Sequence, residues 1–354
     1  YSFKNQLCVN FKNITFAFMK KKILITGASG FIGSAVVDKA LLLGYDVWAG
    51  IRPSSSKQYL KSEQINFVYL DFSNKSNLKA QLSELANAHG KFDYIVHLAG
   101  LTKAINRQDF YDVNYHQVRN FAEVLAESDL QPRLFVFMST LGVMGLGDEV
   151  GYLPMPANAV PNPNTEYGKS KLKAETFLKS MPGFPYLTLR PTGVYGPRDR
   201  DYLILMRAVK SGLSVGAGFQ KQILSFVYVE DLVQIIFSAI DNQISRKEYN
   251  VSDGHGYTDE EFNNIVKQQL GRQRVLRLKL PLVLVRIAAF ANEKLAKLLG
   301  KATTFNTDKY WIMKQRNWQC DISPLQEDIG FEPQYLLEDG VAKTIEWYRD
   351  NGWL

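Results

Sequence analysis

Three positions in this chain combine a chemically useful side chain with a telling interval. Tyr167 and Lys171 stand four residues apart in Tyr167-Gly-Lys-Ser-Lys171, so a helix through them places phenol and ammonium on one face. A free phenol titrates near pH 10, about three units too high to accept a proton at neutrality. An adjacent ammonium favours the phenolate and is expected to lower that value. A phenol so tuned is a general acid–base group, worth about 10²–10⁴ in rate. Upstream, Ser139 and Thr140 follow the apolar run 134–138. A hydroxyl there is placed to hold a substrate oxygen beside Tyr167, with Thr140 preferred and Ser139 as the alternative donor.

A second pattern supplies the partner of such an acid–base group. Thr26-Gly-Ala-Ser-Gly-Phe-Ile-Gly33 follows a β-like run and opens a helix-period run. In that context Gly27 permits the tight turn, Gly30 lets the backbone approach a pyrophosphate, and Gly33 allows helix and strand to pack closely. The helix N-terminus, from Ser29 through Phe31 and Ile32, presents unpaired N–H groups to phosphate. A nicotinamide dinucleotide is therefore expected here, its cation adding to the ammonium's pull on the phenol, with Tyr167 moving a proton while hydride moves at the cofactor.

The choice between NAD and NADP is read at the end of the second strand, where a carboxylate would bind the NAD ribose. That position is Ile51, and Arg52 follows it with a planar fork suited to a 2′-phosphate. Ser54 and Lys57 add further donors. NADP is favoured over NAD. Asp71, ending the third strand, and the adjacent Phe72 are placed to meet the adenine edge.

The elements needed to hold these groups are present. Apolar strand-like runs at 23–26, 47–51, 67–70, 94–98, 134–138 and 186–190 alternate with helix-period segments at 31–43, 78–88, 110–127 and 167–179. This is the signature of an α/β, doubly wound parallel sheet, a Rossmann arrangement. Beyond Arg190 the alternation breaks down. Helical stretches at 202–210, 231–240, 259–270 and 281–299 suggest a smaller substrate lobe interleaved with the core. The expected division is 20–190 for the dinucleotide domain and 191–354 for the lobe. Residues 1–18 resemble neither a secretory signal nor folded sequence, which points to Met19 as the natural start and to an upstream extension.

The chain has 354 residues, 46% hydrophobic and 22% charged, with a net charge of +7. Those values are ordinary for a globular protein, and no basic stripe interleaved with aromatics suggests nucleic acid. No apolar run reaches the roughly eighteen residues of a membrane span. Cys8 and Cys320 lack a CxxC setting, and the 4 histidines lack ligand spacing, so reduced thiols, a cytoplasmic location and no metal are expected. The segment 281–299 is apolar and punctuated by Arg286, Lys294 and Lys297; a packing helix is the plainer reading, a membrane-surface helix the other.

Taken together, the motifs resemble the extended short-chain dehydrogenase/reductase superfamily, in its NAD-dependent epimerase/dehydratase group, from about Lys20 to the C-terminus. The resemblance is carried by TGASGFIG, His97-Leu-Ala-Gly100, the helix around Asn114, Ser139-Thr140, YGKSK, Arg190-Pro-Thr-Gly-Val-Tyr-Gly-Pro197 and Phe226-Val-Tyr-Val-Glu-Asp-Leu232. It implies that Leu98, Ala99 and Gly100 line the cofactor, with Ser139, Tyr167 and Lys171. It implies further that Pro191 and Val194 flank the nicotinamide and that Asn114 joins Thr140, Tyr167 and Lys171 in catalysis. A homodimer through the helices 110–127 and 167–179 follows from the same likeness. Two departures bear on substrate. Nucleotide-sugar members usually carry Asn where this chain has Gly193, and Arg-Asp where it has Leu224-Ser225. Both changes are similar to the dihydroflavonol reductase and 3β-hydroxysteroid dehydrogenase branches. Three functions stay open: net oxidoreduction of a secondary alcohol or ketone, a nucleotide-sugar epimerase or dehydratase, and a non-catalytic NAD(P)-binding sensor.

Overall fold

The computed structural model describes residues 20–354. The expected start at Met19, the extension before it and Cys8 lie outside the described residues. Seven parallel strands form the central sheet: β1 (Lys22–Thr26), β2 (Asp46–Gly50), β3 (Ile65–Val68), β4 (Tyr94–His97), β5 (Leu134–Met138), β6 (Tyr186–Pro191) and a later strand, Lys247–Val251. Their spatial order is Lys247–Val251, β6, β5, β4, β1, β2, β3. Most of these strands are continuous apolar runs because helices cover both sheet faces. Helices α1 (Phe31–Leu42), Val229–Asp241 and Ser323–Ile329 pack on one side. On the other lie α2 (Lys75–His89), α4 (Gln117–Glu127) and α5 (Glu166–Ser180).

The order of strands reverses between β1 and β4, so the crevice at their C-terminal ends is where this architecture binds ligands. Thr26 and His97 are register partners there. The glycine loop after β1 and Leu98–Gly100 after β4 therefore face one another across that crevice.

Two elements differ from expectation. The stretch 110–127 is not one helix: α3 (Arg107–Tyr111) runs into a π-turn at Asp112–His116 before α4 begins. Such single π-turns mark functional sites, and Asn114 sits in this one. The seventh strand was not foreseen because Lys247 and Glu248 make it read as surface. It is a sheet edge, where charge protects unpaired backbone; Lys247 pairs with Asp328 at 2.9 Å and Glu248 accepts from the Tyr186 hydroxyl at 2.6 Å.

The remaining strands are β7 (Gly193–Tyr195), β8 (Leu213–Ala217), β9 (Ile223–Leu224) and β10 (Phe226–Tyr228) before the edge strand β11 (Lys247–Val251), then β12 (Tyr257–Thr258) and β13 (Leu276–Leu280). They pair two by two: β10 with β7, β12 with β9, β13 with β8. With α6 (Asp201–Lys210), α8 (Asp259–Gln269) and α12 (Leu337–Asp350) they enclose a second core around Tyr195, Phe226, Phe262 and Tyr348, while α7 (Val229–Asp241) stays on the central sheet. Helices α9 (Leu282–Leu298) and α10 (Thr307–Lys314) form a small satellite around Val285, Ala289 and Tyr310, and α11 (Ser323–Ile329) returns to the sheet. Residues 315–319 sew the irregular loop 145–155 to the lobe. Gln315 donates to the Gly145 carbonyl at 3.1 Å, Asn317 to those of Asp148 and Leu153, and Gln319 to that of Tyr152. No helix among the described residues is long and apolar enough to cross a membrane.

Candidate active site

The glycine loop has the local geometry its spacing implies. Gly27 adopts φ +66°, and a Cβ there would stand 2.8 Å from the Ala99 nitrogen. A Cβ on Gly33 would collide with the Gly27 carbonyl, so α1 packs directly on the turn. At the other end of the loop, Gly30 is the N-cap of α1, which has neither a side-chain cap nor an acidic first-turn residue. Its first amides are left for a ligand, and the positive end of the helix dipole favours an anion. Ser29, Phe31 and Ile32 line this turn half-buried. The residues present fit a dinucleotide pyrophosphate.

Across the crevice, the Thr26 hydroxyl meets His97 Nδ1 at 2.9 Å and accepts from the Ala99 amide at 3.2 Å. Burial drives His97 down to about 3, so it is a neutral, structural imidazole. Leu98 and Ala99 are half-buried and Gly100 is exposed. A Cβ on Gly100 would reach 3.0 Å from Lys171 Nζ and 3.2 Å from Asn114 Oδ1, which brings the loop after β4 against α5.

Helix α5 begins with Thr165 as N-cap, its hydroxyl accepting from Gly168. Tyr167 lies in the first turn, half-buried, with its ring 6.0 Å from that of Phe110. Its backbone N–H donates to Asp308 of α10 at 3.2 Å. Lys171 is buried and donates to the Met138 carbonyl at 2.9 Å, its ammonium 4.8 Å from the Phe137 ring centre. Of the two charges expected to make the phenol acidic, the ammonium by itself does not do so. Burial pushes Tyr167 up to about 12, while burial, opposed by Glu175, brings Lys171 down to about 8. The ammonium is turned to a backbone carbonyl, so desolvation outweighs its effect on the phenol.

The two candidate hydroxyls separate. Ser139 is buried and donates to Glu175. Thr140 is half-buried and accepts from the Gly142 amide at 3.1 Å, so its own hydrogen remains for another acceptor. Asn114 is fully buried, with Oδ1 accepting from the Leu101 amide at 2.8 Å and Nδ2 donating to the Leu101 carbonyl and the Ser170 hydroxyl, each at 3.0 Å. Its polar atoms are thus committed to fixing the loop after β4 against α5.

Sequence reasoning passed over Glu175. It accepts two hydrogen bonds from Arg190, at 3.0 Å and 2.7 Å, besides that of Ser139, and both charged groups are buried. Tyr167, Lys171 and Glu175 fall at i, i+4 and i+8, a helical face legible in the spacing alone. Asp308 had no such signal, being far away in sequence.

Outlying candidates are more dispersed. Ile51 is buried and Arg52 is exposed, with no carboxylate partner among the described residues. Lys57 lies over the Phe67 ring at 3.8 Å. Both oxygens of Asp71 are occupied, by Ser73 and Asn77, which holds its carboxyl below the usual range. The Phe72 carbonyl accepts from Asn120 at 3.0 Å. Pro191 ends β6 buried, and Val194 lies half-buried in β7.

At Gly193 a Cβ would collide with the Tyr202 hydroxyl, and Ser225 donates inward to the His255 carbonyl at 3.0 Å. The two positions that depart from the nucleotide-sugar pattern are therefore filled by packing and backbone hydrogen bonding.

Similarity to known proteins extends beyond the site. The chain is 25% identical over 341 residues to a UDP-glucose 4-epimerase of Vibrio cholerae, covering 93% of this chain and 95% of that one. It is 25% identical over 366 residues to a dTDP-glucose 4,6-dehydratase of Escherichia coli, covering 93% and 94%. Among solved structures, a UDP-glucose 4-epimerase of Thermotoga maritima with UDP-glucose superposes with a TM-score of 0.72 at 23% identity, over 93% of this chain and 99% of the other. A dTDP-glucose 4,6-dehydratase of Bacillus anthracis in complex with NAD gives 0.73 at 19%, over 94% and 97%. At those identities the structural likeness speaks for the fold. The model of one family matches residues 23–252, from β1 through the glycine loop, α5 and β7 to the edge strand, and this chain belongs to that NAD dependent epimerase/dehydratase family.

Proposed function

We propose that the chain catalyses hydride transfer between a nicotinamide dinucleotide and a secondary alcohol or ketone that carries no nucleoside diphosphate. Tyr167 is the general acid–base group. Thr140 holds the substrate oxygen, Lys171 would help hold the dinucleotide, and Asn114 positions the loop after β4. The dinucleotide, when bound, supplies the hydride acceptor or donor. The phenol moves the proton at the substrate oxygen, and the buried surroundings of Lys171 exclude water from that transfer.

The observation that carries the substrate class is the closed space at Gly193. Tyr202 fills the volume an Asn side chain needs, and Leu224-Ser225 themselves carry no guanidinium to grip a phosphate. A buried pyrophosphate without such partners is strongly disfavoured. Exposed Arg52 following buried Ile51 supports NADP over NAD, since no carboxylate at the end of β2 repels a 2′-phosphate. Half-buried Tyr115 of the π-turn and Phe177 of α5 support a homodimer through those helices.

One observation favours a second reading, in which the hydride returns to the same substrate. The curated relatives above are a nucleotide-sugar epimerase and a dehydratase by name, over nearly the whole chain. A single experiment separates the two. Purified protein is offered NADPH or NADH with ketones, flavanones and steroids, and NAD or NADP with UDP-sugars, following nicotinamide absorbance and product together. Stoichiometric consumption of reduced cofactor with a ketone supports net oxidoreduction. Interconversion of a UDP-sugar at constant absorbance overturns it in favour of the second reading.

A further inference from the structure

The surface formed by β13 and α9 has its polarity inverted. Strand β13 reads Leu-Arg-Leu-Lys-Leu, and the side facing the protein carries the charges. Arg277 pairs with Asp259 and Glu260, and Lys279 lies 3.6 Å from Asp259. Leu276 and Leu278 point outward at 63% and 43% exposure, with Val215 of β8, the register partner of Leu278, exposed beside them. Helix α9 exposes apolar side chains on the same surface, although its buried face is apolar as well. Its inner face is Val285 and Ala289; Val283, Ile287, Phe290 and Leu298 lie on the opposite face, each more than half exposed. A helix apolar on both faces belongs in a core or at a lipid boundary, and among the described residues none covers the outer side of this helix.

Charge identifies what covers that side. The segment 272–301 contains eight Lys and Arg against Glu293 alone, a net charge equal to the +7 of the entire chain. Glu293 is turned inward, accepting from the amide and hydroxyl of Thr307 at 2.9 Å and 2.5 Å. Arg286, Lys294 and Lys297 flank or interrupt the apolar stripe, and none pairs with a carboxylate among the described residues. Two copies meeting through this face would bring like charges together, which opposes association. An anionic bilayer complements both the apolar stripe and the cations around it.

We propose that α9 and the outer face of β13 form an interfacial docking surface for anionic phospholipid membranes. The helix lies in the plane of the interface, with Ile287 at the centre of the inserted face and the cations at headgroup level. This surface adjoins the reaction site. Glu293 of α9 holds the start of α10, and Asp308 of α10 holds the backbone of Tyr167. The inference stands independently of which substrate the site accepts.

The test is co-flotation of the full chain with vesicles of phosphatidylcholine alone or mixed with phosphatidylglycerol, together with sedimentation analysis of its oligomeric state. Expected is binding to the mixed vesicles that weakens with salt and is much weaker on phosphatidylcholine. Replacing Arg286→Gln, Lys294→Gln and Lys297→Gln together lowers affinity by about 100-fold. Ile287→Glu, on an exposed face where the fold is insensitive, abolishes flotation while cofactor binding persists. No flotation with mixed vesicles overturns the proposal, as does a triple variant that binds like the parent. A dimer that Ile287→Glu dissociates, in protein that does not float, overturns it in favour of a second copy.

Discussion

Lys171→Met is expected to make the protein more stable at neutral pH while removing its activity, and the size of the effect follows from burial. Lys171 is 4% exposed, and its ammonium titrates at about 8 in place of 10.5. At about 1.4 kcal/mol per pH unit, folding with the charged form is opposed by about 3 kcal/mol relative to the neutral form. Methionine fills similar volume without that penalty. It forfeits the hydrogen bond to the Met138 carbonyl, a loss of about 1–2 kcal/mol. The variant should therefore gain about 1–2 kcal/mol at pH 7. The sign depends on pH. Below pH 8 the lysine is charged in both states and its full penalty applies. Between 8 and 10.5 the folded chain releases its proton before the unfolded chain does, so parental stability rises with pH relative to the variant. Above 10.5 both states are neutral and the parent, with its hydrogen bond, is the more stable. Urea unfolding of both proteins from pH 7 to 10.5 measures the difference. Curves that run parallel over that window would refute a buried charged lysine.

Other perturbations separate the remaining roles. Tyr167→Phe should reduce turnover by about 10²–10⁴ with nearly unchanged cofactor affinity, measured by single-turnover kinetics and fluorescence titration; activity close to the parent removes Tyr167 from proton transfer. Arg52→Ala should weaken NADP binding about 10–100-fold, as expected for a lost charged hydrogen bond, with little change for NAD; equal losses would reverse the cofactor preference. Glu175→Leu strands a buried guanidinium and should lose about 3–5 kcal/mol in urea unfolding, whereas Glu175→Leu with Arg190→Met should recover most of it. A double variant no more stable than the single one would mean that Arg190 finds another partner.

Much of the fold was readable because doubly covered parallel strands are almost purely apolar. The predicted runs at 23–26, 134–138 and 186–190 differ from β1, β5 and β6 by no more than a residue at either end. What escaped was set by tertiary context. β11 is an edge strand whose Lys247 and Glu248 find partners only once α11 and β6 are in place. The π-turn at Asp112–His116 leaves the helical period nearly intact, and the buried demands of Asn114 become visible only against Leu101 and Ser170. Within the site, the glycine positions were legible since each answers to backbone geometry. The preference for Thr140 over Ser139 rested on position alone in the sequence; its physical reason, the buried Glu175 that takes the Ser139 hydroxyl, was not legible there.

The direction of the phenol's shift was the least accessible quantity, and it bears most on mechanism. Spacing places an ammonium and a phenol on one helical face, but the balance between desolvation and attraction depends on where the ammonium points. In the chain alone it points to Met138, and burial separates the pair, with Tyr167 at about 12 and Lys171 at about 8. A phenol at about 12 is a proton donor at neutral pH and a poor acceptor. Reduction of a ketone, which requires a donor at Tyr167, is therefore the direction this environment favours. Oxidation of an alcohol requires further positive charge beside the ring, as an oxidised nicotinamide carries. The expected result is a pH profile for oxidation that rises through the alkaline range while that for reduction stays level up to about the same pH. Two profiles that are both flat from pH 6 to 10 would sink the assignment of Tyr167 as the titrating group.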